Sequence, residues 1–335
     1  VTSMEAPSAP RVDDRAARSS ARRTALVADL DLRHAGRRTV TLRAEVQGRP
    51  GAPVVVVAGG ISADRHAAAS PVYPEKGWWD AQIGPGRPLD PDTHQILAMD
   101  WLGADGRLDG PVDSADQADA LALVCDHLGV ARLAAFVGSS YGAMTGLQFA
   151  ARHGDRLDRL VAISGADRPH PYASALRAVQ RQIVALGQRG GQPDAGLALA
   201  RQLAMLTYRT PEEFAARFAD PVAVVDGRAR AASADYLEHC GARYAGRTTP
   251  EAFRCLSESI DLHRVDAAAV RTPTFLVAVV EDQLVPATLV ADLARRLAGP
   301  VRYTAISSLT GHDAFLTEPD RIGAVLRAAF TGGPA

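Results

Sequence analysis

Ala134-Ala135-Phe136-Val137-Gly138-Ser139-Ser140-Tyr141-Gly142-Ala143-Met144 joins an apolar run, a Gly-x-Ser-x-Gly turn and the start of a helical pattern. A serine at such a sharp strand-to-helix turn has a strained backbone, and small residues at Gly138 and Gly142 let strand and helix pass close together. That bracketing singles out Ser140 over Ser139. Residues 131–137, apolar but for Arg132, are too short for a helix, whereas 142–153 place Met144, Leu147 and Ala151 at helical spacing. Ser140 is then expected near a helix N-terminus, where unpaired N–H groups favour negative charge.

Working outward, residues 25–32 and 38–46 alternate like a hairpin around His34-Ala35-Gly36-Arg37. Val54-Val55-Val56-Val57-Ala58 and Ile96-Leu97-Ala98-Met99-Asp100 read as strands buried on both faces of a parallel sheet. A helix is expected at 116–128, stopped by Gly129, and a strand at 160–164. From Pro169 to about Arg264 the pattern is helical without strands, as in a lid inserted between sheet strands. Strands are expected again at 273–280 and 301–306, with helices near 287–297 and 320–330. The fold class is α/β, with a mostly parallel sheet flanked by helices and a helical lid insertion. The expected division is a disordered tail at 1–23, a core at 24–168, the lid at 169–264 and the rest of the core at 265–335.

A chain of 335 residues that is 47% hydrophobic can bury one large core. A net charge of −1 argues against nucleic acid as a partner. Cys125, Cys240 and Cys255 lack metal-ligand spacing and read as reduced thiols in a cytosolic protein. Neither the first 23 residues nor any later segment reads as a secretory signal or membrane span, and no metal or resident cofactor is expected.

A serine nucleophile needs a base and an acid, which α/β-hydrolase architecture places after later strands in the order Ser, acid, His. Asp282 follows the strand ending at Val280, and His312 follows the strand at 301–306. Ser140 would attack, His312 would move the proton and Asp282 would orient the imidazole. Glu281 is the rival acid. Of the nine histidines, His34, His94, His127 and His153 read as surface or helix-end residues, and His66 as pocket lining. The oxyanion would take one N–H from Tyr141 and one from Gly59-Gly60-Ile61-Ser62, with Ile61 the choice within that loop.

With these residues in place, the chain resembles the homoserine O-acyltransferases (MetX type) of the α/β-hydrolase superfamily. The resemblance rests on Gly77-Trp78-Trp79-Asp80 with Ile83-Gly84-Pro85-Gly86, the elbow, Leu197-Ala198-Leu199-Ala200-Arg201 with Leu206-Thr207-Tyr208-Arg209, Asp282-Gln283-Leu284-Val285-Pro286, and Gly311-His312-Asp313-Ala314-Phe315-Leu316. It implies ping-pong transfer of an acyl group from acyl-CoA to L-homoserine in methionine biosynthesis. It also implies substrate contacts from Arg201, Tyr208 and Asp313, and a homodimer formed through the lid. Chemistry agrees, because homoserine offers a carboxylate to a guanidinium and an ammonium to a carboxylate.

Gly59-Gly60-Ile61-Ser62-Ala63 departs from the family's usual His-Ala-Leu-Thr-Gly, and the segment 103–111 is short. The Ser-Ser-Tyr-Gly elbow and the short segment resemble a branch of the family assigned succinyl transfer, and that resemblance implies a succinyl rather than an acetyl donor. Arg65, Arg177 and Arg181 are the candidates to meet its free carboxylate. The alternatives are a serine O-acyltransferase, an esterase or thioesterase using water, and a non-catalytic binding protein.

Overall fold

The computed structural model describes residues 20–331. Its eight-stranded sheet has the order β1-β2-β4-β3-β5-β6-β9-β10. The hairpin β1 (Ser20–Leu32) and β2 (Gly36–Gly48) is antiparallel, and β2 also runs antiparallel to β4 (Gln95–Met99). From β4 onward every pairing is parallel, through β3 (Val54–Ala58), β5 (Ala135–Ser139), β6 (Leu160–Ile163), β9 (Thr274–Val279) and β10 (Val301–Ile306).

Strand periodicity explains why the central runs are apolar throughout. Val54, Val56, Phe136, Leu160 and Ala162 join the apolar layer on one face, and Val55, Val57, Val137, Val161 and Ile163 join the other. Helices α1 (Ser114–His127), α2 (Tyr141–Arg152), α8 (Ala287–Arg296) and α10 (Pro319–Thr331) cover the two faces. The parallel strands end on a common edge, so the segments after β3, β5, β9 and β10 all open there.

Between β6 and β9 lie α3 (Pro171–Arg189), α4 (Pro193–Tyr208), α5 (Pro211–Arg217), α6 (Ala232–Ala245) and α7 (Pro250–Leu262). The expectation of helices alone fails here, because β7 (Ala223–Val225) and β8 (Arg228–Arg230) form a small antiparallel hairpin. Its turn is Asp226-Gly227, with φ of 49° and 75°. Positive φ at both central residues suits the twist of a two-residue hairpin, and Asp-Gly tolerates it.

Smaller corrections concern boundaries. Ser20–Arg23, assigned to the tail, are strand residues paired with Glu45–Gly48, and Arg23 bonds Glu45 at 2.9 Å. Residues 1–19 of the expected tail, and 332–335, lie outside the described residues. The strand read at 131–137 is Ala135–Ser139, with Leu133 reduced to a single bridge to Leu157. Helix α1 begins two residues before the expected 116, because Asp113 and Asp116 form a reciprocal cap. A short helix α9 (Ala314–Thr317) follows the His312 turn and was not foreseen.

One buried polar contact ties the helical insertion to the core. At the end of α7, His263 bonds Ser114 at 2.5 Å and the Ala166 carbonyl at 2.8 Å. Burial, the main cause, holds its pKa down to about 4 from the ordinary 6.5. Between those values the unfolded chain binds a proton that the folded chain does not, so stability falls as pH falls through this window. From about pH 7.5 to pH 5 this group should remove about 2 kcal/mol. Urea unfolding should show that increment in the parent and lack it in His263→Asn.

Candidate active site

The elbow is built by sterics. A Cβ on Gly142 would lie 2.0 Å from the Ala58 carbonyl oxygen, and one on Gly138 would lie 2.3 Å from the Gly142 oxygen. Only glycine allows α2 to start this close to β3 and β5. The chain turns through Ser140 itself, whose φ of 55° and ψ of −118° fall where L-residues are strained. The side chain is thereby lifted clear of the sheet edge at the N-terminus of α2.

His312 sits in the turn before α9, with Nε2 2.8 Å from Ser140 Oγ and Nδ1 2.6 Å from Asp282 Oδ2. The other Asp282 oxygen accepts the Leu284 and Val285 N–H groups at 2.8 and 2.9 Å. Asp282 and His312 are 4% and 5% exposed, so water does not compete for either contact. Burial pulls the His312 pKa down, but the charge and hydrogen bond of Asp282 outweigh it and leave the imidazole raised. Glu281 turns away, accepting from the Ser307 hydroxyl at 2.5 Å and the Ser308 N–H at 2.8 Å.

The loop after β3 lies against Ser140, since a Cβ on Gly60 would sit 3.9 Å from the Ser140 Cβ. Among the described residues, neither the Ile61 nor the Tyr141 N–H donates to a backbone carbonyl. Tyr141 is fully buried; its ring packs edge-on to Trp101 with centroids 4.8 Å apart, and its hydroxyl bonds Ser259.

A cavity of about 600 Å³ opens above Ser140 and is lined by both the sheet edge and the helical insertion. Ile61, Tyr141, Arg201, Tyr208 and Asp313 all line it, with His66 further along the wall. Arg201 and Tyr208, about two turns apart on α4, face each other: Nη1 and the phenol oxygen are 3.5 Å apart, and the guanidinium lies 5.1 Å from the ring centroid. The Tyr208 ring stacks beside His312 at 6.1 Å. Asp313 is held by Arg209 Nε at 3.0 Å, and burial leaves its carboxyl raised despite that neighbour.

Of the three candidate arginines, Arg65 pairs with Asp100 and lines a neighbouring cleft. Arg177 lines the main cavity, bonding Asp261 at 2.6 Å, and Arg181 bonds the other Asp261 oxygen at 2.7 Å. Two guanidinium groups thus share one carboxylate and leave a local surplus of positive charge. Arg209 and Asp261 carry these arrangements and were not singled out from sequence. Their partners are remote in the chain, so no local spacing marks them.

The family model for the α/β-hydrolase fold matches residues 52–319. The chain is 57% identical over 304 residues to the homoserine O-succinyltransferase of Xanthomonas campestris pv. campestris, spanning 91% of this chain and 82% of that protein. It is 33% identical over 286 residues to the homoserine O-acetyltransferase of Thermus thermophilus, spanning 76% of this chain and 72% of that protein. The crystal structure of homoserine O-acetyltransferase from Bacillus anthracis superposes with a TM-score of 0.82 at 16% identity, covering 95% of this chain and 99% of the other. This last likeness speaks to the fold, and the first two to descent. The chain belongs to the homoserine O-acyltransferase family of the α/β-hydrolase fold.

Proposed function

We propose that the protein is an L-homoserine O-acyltransferase of methionine biosynthesis, with succinyl-CoA as donor and a covalent acyl-Ser140 intermediate. Ser140 Oγ attacks the thioester carbonyl while His312 Nε2 takes its proton. The tetrahedral oxyanion is held by the Ile61 and Tyr141 N–H groups. Collapse breaks the C–S bond, and the departing CoA sulfur takes the proton from His312. The homoserine hydroxyl then attacks the acyl carbonyl, giving its proton to His312. The second collapse returns that proton to Ser140 and releases O-acylhomoserine.

The observation that carries this reading is Arg201, which forms no carboxylate ion pair among the described residues yet lines the Ser140 cavity with Asp313. A guanidinium with no carboxylate partner of its own suits an amino acid's carboxylate, and Asp313 suits its ammonium; an esterase needs neither. The Arg177, Arg181 and Asp261 cluster supports a donor with its own carboxylate. The 57% identical relative, a homoserine O-succinyltransferase, supports the same choice. A homodimer belongs to this reading, supported by the exposed apolar Leu186, Leu199 and Leu206 on the insertion, and so does the cytoplasmic setting of its substrates.

A donor-by-acceptor matrix tests it, with acetyl-CoA and succinyl-CoA against L-homoserine and L-serine and products read by mass. O-succinylhomoserine should dominate. Homoserine should exceed serine by about tenfold to a hundredfold in kcat/KM, the discrimination one methylene supports. CoA release at the same rate with and without amino acid would assign the site to hydrolysis instead.

A further inference from the structure

Helices α4 and α6 touch through their backbones: a Cβ on Gly241 would lie 2.5 Å from the Ala198 carbonyl oxygen. Three residues further along each helix stand Arg201 and Tyr244, brought together by that close approach. The Arg201 guanidinium lies 4.8 Å from the Tyr244 ring centroid and 5.1 Å from that of Tyr208. Tyr244 is only 7% exposed, packed with Val184, Leu197 and Ala200 and edge-on to Phe253. Arg201 thus contacts two aromatic rings, one of them anchored in an apolar cluster.

We propose that Tyr244 is a positioning residue for the acceptor, its ring fixing the Arg201 guanidinium so that the fork meets the substrate carboxylate without reordering. The proposal rests on the homoserine reading above. A flexible arginine loses rotamer freedom on binding a carboxylate, and a ring face that holds the cation beforehand removes part of that penalty. A ring also attracts the cation without consuming its hydrogen-bond donors, which an acidic partner would do. Tyr244 further forms part of the wall of the neighbouring cleft, near Ser62 of the loop that carries Ile61. Burial chiefly raises its phenol, and the positive charge of Arg201 pulls the other way.

The test compares the parent with Tyr244→Leu and Tyr244→Phe, using succinyl-CoA and L-homoserine. The Leu variant should raise the homoserine KM about tenfold with kcat within about twofold, whereas Phe, which keeps the ring face, should stay near the parent. Acylation of Ser140 by succinyl-CoA, which involves no amino acid, should proceed equally in all three and serves as the folding control. With 3-aminopropan-1-ol, homoserine without its carboxylate, the penalty of the Leu variant should disappear. A parent KM in the Leu variant, an equal KM rise in Phe, or the same penalty with the aminoalcohol would each overturn the proposal. Loss of acylation in the Leu variant would also overturn it, by making Tyr244 a packing residue. A parent enzyme indifferent to homoserine would instead overturn the homoserine reading, before any variant is compared.

Discussion

Ser140→Ala is expected to lower kcat by about five orders of magnitude while the fold and the binding of acyl-CoA persist. Only the Oγ can form the ester, and no second nucleophile stands in its place: Ser139 is 1% exposed within β5, below the turn that lifts Ser140. The imidazole and the proposed Ile61 and Tyr141 N–H donors would remain, so residual activity should reflect positioned groups acting without a covalent intermediate. Steady-state CoA release, measured with a thiol reagent, checks the magnitude. A rate unchanged from the parent would revive the reading of the chain as a non-catalytic binding protein.

Asp282→Asn is expected to lower kcat by about four orders of magnitude at little change in stability. The reason lies in how Asp282 is held. One of its oxygens already accepts the Leu284 and Val285 N–H groups, so an asparagine must place its carbonyl there and turn its amide toward His312. That amide donates to Nδ1, forcing the tautomer whose proton sits on Nε2. Nε2 then cannot accept the Ser140 proton. The pH profile gives an independent readout. His312 must be neutral to act as base, and its raised pKa keeps it protonated to higher pH than an ordinary histidine at 6.5. Activity of the parent should therefore rise with pH through a midpoint above 6.5. In Asp282→Asn burial remains but the carboxylate charge is gone, so the midpoint should move down. An upward or absent shift would contradict the electrostatic role given to Asp282.

Much of this site was legible because its chemistry is written in local pattern. The glycine bracket around Ser140 encodes a steric need, and the two-face burial of β3, β5 and β6 encodes their place in the parallel sheet. Asp282 and His312 follow from the rule that functional groups gather at strand ends. The arrangement of Arg201, Tyr208 and Asp313 around one cavity was expected from resemblance, whereas their spacing alone would have left an exposed helical arginine.

What was not legible falls into two kinds. The hairpin β7–β8 carries an Asp-Gly turn signal, but its three-residue strands are wholly exposed and show no apolar alternation. The pairs Arg209–Asp313 and Arg177–Asp261 join segments 104 and 84 residues apart, and only the packing of the insertion over the sheet edge brings them together. The same holds for Tyr244 and Arg201, whose meeting depends on the backbone contact at Gly241.

The covalent route is the central claim, and the mass of the intact protein tests it most directly. After brief mixing with succinyl-CoA, the parent should gain one succinyl group on Ser140, and added L-homoserine should discharge it with matching formation of O-succinylhomoserine. A protein that transfers the acyl group yet never carries the adduct, or an adduct that homoserine leaves untouched, would contradict the account.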